Sequence, residues 1–179
     1  MKDVIIDIET LSTLPNAIIL TIGAIKFNRF EKLKEFDDYE TFYIRIDIDS
    51  CKKVGLKSDS DTIKWWKDQN NNVRYEAIQN PDRKSIEEAL NGLSKFVENS
   101  QYIWSQGSFD SVILENAYRS CGIEIPWKFW NIRDSRTLFD VTKIDLKMIE
   151  YKKDSTHNAL IDCYRQLIAT ANAFQKLNI

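Results

Sequence analysis

The feature that most constrains the fold is an apolar, β-branched run near the N-terminus that ends in acids. Residues 4–9 read VIIDIE, with acidic side chains only towards the end of the run. A segment with apolar residues at successive positions is typical of a strand buried in the centre of a sheet. We therefore predict a central strand over residues 4–9 whose tip opens into a functional site.

Two further β-rich segments follow this strand after short connections. Residues 10–16 are rich in turn residues, and residues 18–27 are again β-rich. Residues 41–47 alternate, with Phe42, Ile44 and Ile46 on one face and Tyr43 and Arg45 on the other. Three consecutive strands joined in this way predict an antiparallel meander.

The rest of the chain is mainly helical in pattern. Ser85 and Glu88 form a capping box that predicts a helix to about Asn99, and Gly122 predicts the end of a helix that begins at Phe109. Short strands are predicted at residues 102–104 and 129–132. Further helices are predicted at residues 61–69, 73–79 and 136–142, and from 154–156 to about 177. This order predicts an α/β protein with a mixed β-sheet, an antiparallel meander plus parallel strands, flanked by helices.

Composition favours one domain of ordinary soluble type. A chain of 179 residues with 43% hydrophobic content is long enough to close one sizeable core, and no repeat or linker divides it, so we predict a single domain over residues 1–179. No apolar run approaches the roughly 18 residues of a membrane span, and no signal peptide is evident. Cys51, Cys121 and Cys163 show no C-x-x-C spacing, which favours reduced thiols in the cytoplasm. The sequence does not indicate an oligomeric state.

Asp7 and Glu9 are the first candidate site residues. Residues two apart on a strand project from the same face, so both carboxylates lie at the same end of the predicted central strand. Paired carboxylates there supply oxygen ligands of the kind that Mg²⁺ prefers. An isolated D-x-E is more often two solvated acids, so this interpretation depends on the other motifs.

Two later motifs add acids and a histidine. Asp110 lies just after the strand predicted at residues 102–104, in the first turn of the next helix. Functional groups gather where strands end and helices begin, although the helix macrodipole alone also favours an acid there. His157, the only histidine, precedes Asp162 by five positions near a helix start. Alone it is more often an exposed, idle side chain; beside the acids it is a candidate general base.

Together, the segments Asp7-Ile8-Glu9-Thr10, Phe109-Asp110 and His157 to Asp162 resemble the three motifs of the DEDDh exonuclease superfamily. The resemblance implies a ribonuclease H-like fold and a 3′→5′ exonuclease that releases nucleoside 5′-monophosphates. It implies two divalent cations, Mg²⁺ or Mn²⁺, one held by Asp7, Glu9 and Asp162 and the other by Asp7 and Asp110, with His157 as general base. By the same analogy Thr10 and Leu11 contact the terminal nucleotide, a role that we weigh equally with ordinary turn packing.

Within the superfamily the chain is most similar to phage exonuclease A, the exodeoxyribonuclease VIII nuclease domain and small bacterial 3′→5′ exoribonucleases. Gln106 departs from the asparagine that relatives often carry near this position. The resemblance implies single-stranded DNA or RNA 3′ ends as the partner, with DNA favoured. The net charge of −2 argues only against tight, nonspecific duplex binding.

Two other functions stay open at this point. One is a ribonuclease H-like endonuclease or integrase, which lacks this combination of motifs. The other is a catalytically silent nucleic-acid- or partner-binding module on the same fold. Trp65 and Trp66 are adjacent, so one is expected in the core and the other partly exposed. For Arg133, Arg136 and Lys152-Lys153, surface solvation is favoured over phosphate contact.

Overall fold

A mixed five-stranded sheet forms the centre of the molecule in the computed structural model, which describes residues 2–149, 151 and 157–178. The strands are β1 (Asp3–Thr10), β2 (Ile19–Phe27), β3 (Thr41–Arg45), β4 (Ile103–Ser105) and β5 (Ile132–Asp134), in the order β3-β2-β1-β4-β5. Strands β1, β2 and β3 pair antiparallel, whereas β4 is parallel to β1 and β5 is parallel to β4. The predicted α/β fold class, a ribonuclease H-like mixed sheet with an antiparallel meander, is confirmed.

Seven α-helices flank this sheet in the described part of the chain. They are α1 (Ile48–Lys53), α2 (Ser60–Lys67), α3 (Asn71–Arg74), α4 (Ile86–Val97), α5 (Phe109–Ser120), α6 (Ser135–Thr142) and α7 (Ala159–Lys176). A π-helical turn, Tyr75–Gln79, continues α3. The predicted capping box at Ser85 is present, and Gly122 adopts a φ of 66° just after α5, as the predicted helix end requires.

The two faces of β1 belong to different cores. Val4, Ile6 and Ile8 lie in the larger apolar cluster, together with residues of α4 and α5. Ile5 lies on the opposite face, in a smaller cluster with Trp104 and with residues of α7. Because side chains alternate along a strand, Asp7 and Glu9 share the face of Ile5 and point towards α7.

Gly23 of β2 determines how closely α7 approaches the sheet. A Cβ atom at Gly23 would lie 2.4 Å from the carbonyl carbon of Ala159 and 2.4 Å from the backbone nitrogen of Leu160. The first turn of α7 therefore packs directly on the backbone of β2, and only glycine leaves room for it. This close approach brings the start of α7 next to β1, which pairs with β2 along its length.

The structure corrects the predicted third strand. That strand ends at Arg45, and the following residues form the unpredicted helix α1. The carboxylate of Asp47 accepts a hydrogen bond of 2.7 Å from the backbone of Ser50, so Asp47 caps the helix and does not extend the strand.

The last strand, predicted at residues 129–132, is present but begins three residues later than predicted. Phe129–Asn131 is a 3₁₀ turn, and β5 begins only at Ile132. The Asn131 side chain stabilises the turn by accepting from the Lys128 backbone and donating to the Gln101 carbonyl. Phe129 and Trp130 misled the prediction because they are β-formers that here lie on the surface, with Phe129 80% exposed.

The last helix begins later than predicted. The predicted caps at residues 154–156 lie outside the described residues, and the observed cap is Asn158, whose side chain accepts from the backbones of Leu160 and Ile161. In the part of the chain that is described, no helix is long and apolar enough to cross a bilayer. Cys51, Cys121 and Cys163 are free thiols, as predicted.

Candidate active site

Three carboxylates meet at the C-terminal end of β1. Asp7 and Glu9 project from the same face of the strand, as predicted, and the first turn of α7 brings Asp162 against them. One carboxylate oxygen from each of the three lies within 4.8 Å of the others. The side chains are half-buried, so the cluster is not a solvated surface patch.

Asp110 joins this cluster from the other side of the sheet. It lies in the first turn of α5 and is only 4% exposed. Its carboxylate accepts a hydrogen bond of 3.1 Å from the backbone N–H of Ile8, the residue between Asp7 and Glu9. The structure therefore brings together all four acids that the sequence motifs singled out.

Burial and mutual repulsion make it costly to ionise these acids together. The pKa of Asp7 is raised well above its usual value by burial and then by the charges of Asp110, Glu9 and Asp162. Burial and the neighbouring Asp162 and Asp110 raise the pKa of Glu9 to about 8, and burial raises the pKa of Asp110 to about 7. A hard divalent cation would offset this repulsion, and an all-oxygen donor set suits Mg²⁺ or Mn²⁺. The residues present therefore fit such ions.

Two residues of α7 hold the carboxylates in place. Gln166, only 1% exposed, donates a hydrogen bond of 2.8 Å from its side-chain amide to Asp7. Arg165 pairs with Asp162 at 3.2 Å. Neither residue was predicted from the sequence, although they follow Asp162 by three and four positions, the spacing that places side chains on the same side of a helix.

His157 lies directly beside the acids. Its backbone N–H donates a hydrogen bond of 3.0 Å to the carboxylate of Asp162, and its backbone adopts a left-handed φ of 64°. Its ring packs edge-on against Trp65, with 4.8 Å between ring centroids and an interplanar angle of 88°. The predicted proximity of His157 to Asp162 is therefore observed. The contact with Trp65 places the His157 ring on the same side of the acids as Trp65.

A cleft of about 680 Å³ opens next to the cluster. This main cleft is lined by residues that include Glu9, Thr10, Leu14, Trp65 and Phe109. The exposed apolar side chains of Leu14 and Phe109 were not singled out as cleft residues, because only the fold brings residues so distant in sequence together. The cleft is large enough for a nucleotide-sized ligand.

The predicted substrate residues fall in different places. Thr10 lines the main cleft, whereas Leu11 is buried in the larger core cluster, the position expected of the turn-packing role. Trp66 is 2% exposed and donates a hydrogen bond of 2.8 Å to the carbonyl of Thr10, while Trp65 is 42% exposed in the cleft. The predicted division of the tryptophan pair between core and surface is therefore observed.

The basic residues considered in the sequence also differ in their surroundings. Arg133 lies over the ring of Tyr102 at 3.7 Å from its centroid and donates to the carbonyls of Trp130 and Ile132. Arg136 lines a second groove together with Gln106. Lys152 and Lys153 lie outside the described residues.

Comparison with known proteins places the chain in a family of 3′-5′ exonuclease domains. More particularly, residues 2–174 match the model of the 3′-5′ exoribonuclease Rv2179c-like domain, and the chain belongs to that family. A search of curated protein sequences found no match. Among solved structures, the chain is similar to the crystal structure of cell-death related nuclease 4 (CRN-4), with a TM-score of 0.49 and 9% identity. That similarity covers 99% of this chain and 64% of the other, and a likeness at this level carries no functional information.

Proposed function

We propose that the chain is a DEDDh-type, metal-dependent 3′→5′ exonuclease that releases nucleoside 5′-monophosphates from single-stranded nucleic acid. The observation that carries the proposal is the convergence of Asp7, Glu9 and Asp162 within 4.8 Å at the tip of the central strand. The hydrogen bond from Ile8 to Asp110 and the bond from His157 to Asp162 complete the set of five residues. Membership of an exonuclease family supports the same reaction.

The acids would hold two divalent cations, Mg²⁺ or Mn²⁺. Asp7, Glu9 and Asp162 would bind one, and Asp7 and Asp110 the other. When bound, such a pair supplies activation of the attacking water and stabilisation of charge on the leaving 3′ oxygen. Gln166 keeps Asp7 oriented by donating to one of its oxygens, and the remaining lone pairs of the carboxylate stay available to both cations.

His157 would accept the proton from the attacking water. Its backbone is tied to Asp162 and its ring rests against Trp65, so the imidazole lies at the edge of the carboxylate cluster. Histidine is suited to this role because its ordinary pKa is close to neutral pH.

The main cleft would receive the 3′-terminal nucleotide. It adjoins Glu9, and the half-exposed ring of Trp65 offers an aromatic face on which a base of any sequence can stack. Thr10, at the cleft wall, would contact the terminal sugar. Leu11, which is buried in the larger core cluster, would support the turn, and the exposed Leu14 would contact the base instead of Leu11.

RNA is the substrate that we propose. The sequence alone favoured DNA through its likeness to phage exonuclease A, but the matching family is described as one of exoribonucleases. Discrimination between the two requires a contact at the 2′ position, which no motif in the sequence specifies.

Matched RNA and DNA oligonucleotides labelled at the 5′ end test this proposal directly. We expect a ladder that shortens from the 3′ end with Mg²⁺ or Mn²⁺, faster for RNA, and no ladder with an Asp7→Ala variant of unchanged fold. A faster DNA ladder would overturn the sugar preference alone. Binding without cleavage by the wild type would indicate the silent binding module, and long internal fragments an endonuclease.

A further inference from the structure

A second groove of about 560 Å³ lies beside the main cleft. We call it the Arg136 groove; it is lined by residues that include Gln106, Phe109, Val112 and Arg136. Thr13 and Phe109 line both cavities, so the two adjoin across the Phe109 side chain. A ligand longer than one nucleotide in the main cleft could therefore extend past Phe109 into the Arg136 groove.

Arg136 differs from the other arginines in what its side chain binds. Its guanidinium makes no hydrogen bond or ion pair with any residue that the structure describes. Each of the others donates at least one side-chain hydrogen bond to protein, namely Arg29, Arg45, Arg74, Arg83, Arg119, Arg133 and Arg165. Arg136 thus presents a permanently charged guanidinium with no hydrogen-bond partner in the described part of the chain, a group that suits a phosphate. Its charge also acts on Asp110, where it opposes the rise in pKa that burial causes.

The backbone around Arg136 is held firmly to the wall of the groove. The Asp134 carboxylate accepts from the backbone N–H of Arg136 at 2.9 Å and from that of Gly107 at 2.8 Å. The Ser135 hydroxyl donates to the carbonyl of Ser105 at 2.9 Å. These bonds fix the start of α6 to the loop that leads into α5, so the backbone that carries Arg136 is held in place beside the groove.

The groove also carries apolar surface suited to a base. Phe109 and Val112, one turn apart on α5, both expose their side chains on this wall. A cation beside an exposed aromatic ring is the combination that binds single-stranded nucleic acid without reading its sequence.

We propose that the Arg136 groove binds the nucleotide that precedes the 3′-terminal one, with the Arg136 guanidinium on the backbone phosphate of that nucleotide. This subsite rests on the proposed exonuclease function, because it assumes that the terminal nucleotide occupies the main cleft. The phosphate concerned belongs to the second linkage from the 3′ end, the linkage next to the one that is hydrolysed.

Five-nucleotide substrates with a single neutral methylphosphonate test this assignment. The modified linkage is placed second or fourth from the 3′ end, with 2′-O-methyl sugars beside it in RNA. Neutralising the second linkage removes the charge-assisted hydrogen bond from Arg136, so we expect wild-type kcat/KM to fall about 10- to 100-fold. Neutralising the fourth linkage should change kcat/KM little.

The Arg136→Gln variant should lose a similar factor on the unmodified substrate, and neutralising the second linkage should then cost it nothing more. Arg119→Gln, an arginine near the other end of α5 that pairs with Glu115, is the matched control and should behave as wild type.

The subsite is overturned if wild type cleaves all substrates equally, or if Arg136→Gln keeps the full methylphosphonate penalty. A wild type that releases no nucleotides at all would instead overturn the exonuclease function, and the subsite with it.

Discussion

Replacement of Gly23 by alanine tests whether the close packing of α7 against the sheet is needed to position the residues of the site. The added Cβ would lie 2.4 Å from main-chain atoms of Ala159 and Leu160, where ordinary contacts begin at 3.4 Å. Helix α7 must therefore shift by about 1 Å, and neither backbone can yield as a side chain would. Overpacking of this kind costs about 3 kcal/mol, which for a chain of this length lowers the melting temperature by about 6–12 °C.

The same shift should impair the site, because Asp162 lies in the first turn of α7. A displacement of about 1 Å at a reacting centre costs on the order of 100-fold in rate. We expect this loss in the initial rate of oligonucleotide cleavage, measured at a temperature where circular dichroism shows the variant to be folded.

Gly92→Ala is the matched control for this experiment. Its Cβ would meet only the ring of Phe42, at 3.1 Å, and alanine is the better residue inside α4 by about 0.5–1 kcal/mol. It should melt within a few degrees of wild type and cleave normally. A Gly23→Ala protein with wild-type melting temperature would refute the close-approach argument, and a destabilised one with full activity when folded would refute the link between α7 and the site.

Three other perturbations probe the site itself. His157→Ala should slow turnover by about 10²- to 10⁴-fold while Mn²⁺ affinity, measured by calorimetry, changes little; near-full activity at neutral pH would exclude it as the base. Trp65→Ala should lower kcat by up to about tenfold because the ring contact with His157 is lost. Trp65→Phe should restore much of the lost kcat. Equal kcat values for the alanine and phenylalanine variants would show that an aromatic ring is not needed. In chelator, the melting temperature should fall as the pH rises from about 4 to about 8, because folding raises the pKa of Asp110 to about 7 and of Glu9 to about 8. Across that range the folded protein holds protons which the unfolded chain has released, and the fall should level off above the folded pKa values. Mn²⁺ should therefore raise the melting temperature more at pH 8.5 than at pH 5, and equal shifts would contradict the repulsion described for this cluster.

Local patterns in the sequence predicted most of the elements. The strand over residues 4–9, the capping box at Ser85 and the glycine after α5 each depend on short-range chemistry, and the structure has each close to where the sequence placed it. The predictions failed where local propensity and tertiary environment disagree. Phe129 and Trp130 have the residue types of a strand but lie in an exposed turn, and α1 is too short to show a helical period.

The acids of the site were predictable, but their surroundings were not. Asp7 and Glu9 were predicted to share a face because side chains alternate along a strand. The order of the sequence motifs identified Asp110, His157 and Asp162. The contact between Trp65 and His157, the bond from Gln166 to Asp7 and the place of Arg136 in its groove depend on how distant elements pack. So does the closeness of α7 to β2, for which the sequence offers only one glycine in a β-rich run.

Anomalous diffraction from crystals grown with Mn²⁺ and a nucleoside 5′-monophosphate would test the central claim most directly. We expect two manganese peaks, one among Asp7, Glu9 and Asp162 and the other between Asp7 and Asp110, with the nucleotide in the main cleft. Manganese bound elsewhere, or a carboxylate cluster that stays empty at millimolar Mn²⁺, would contradict the account.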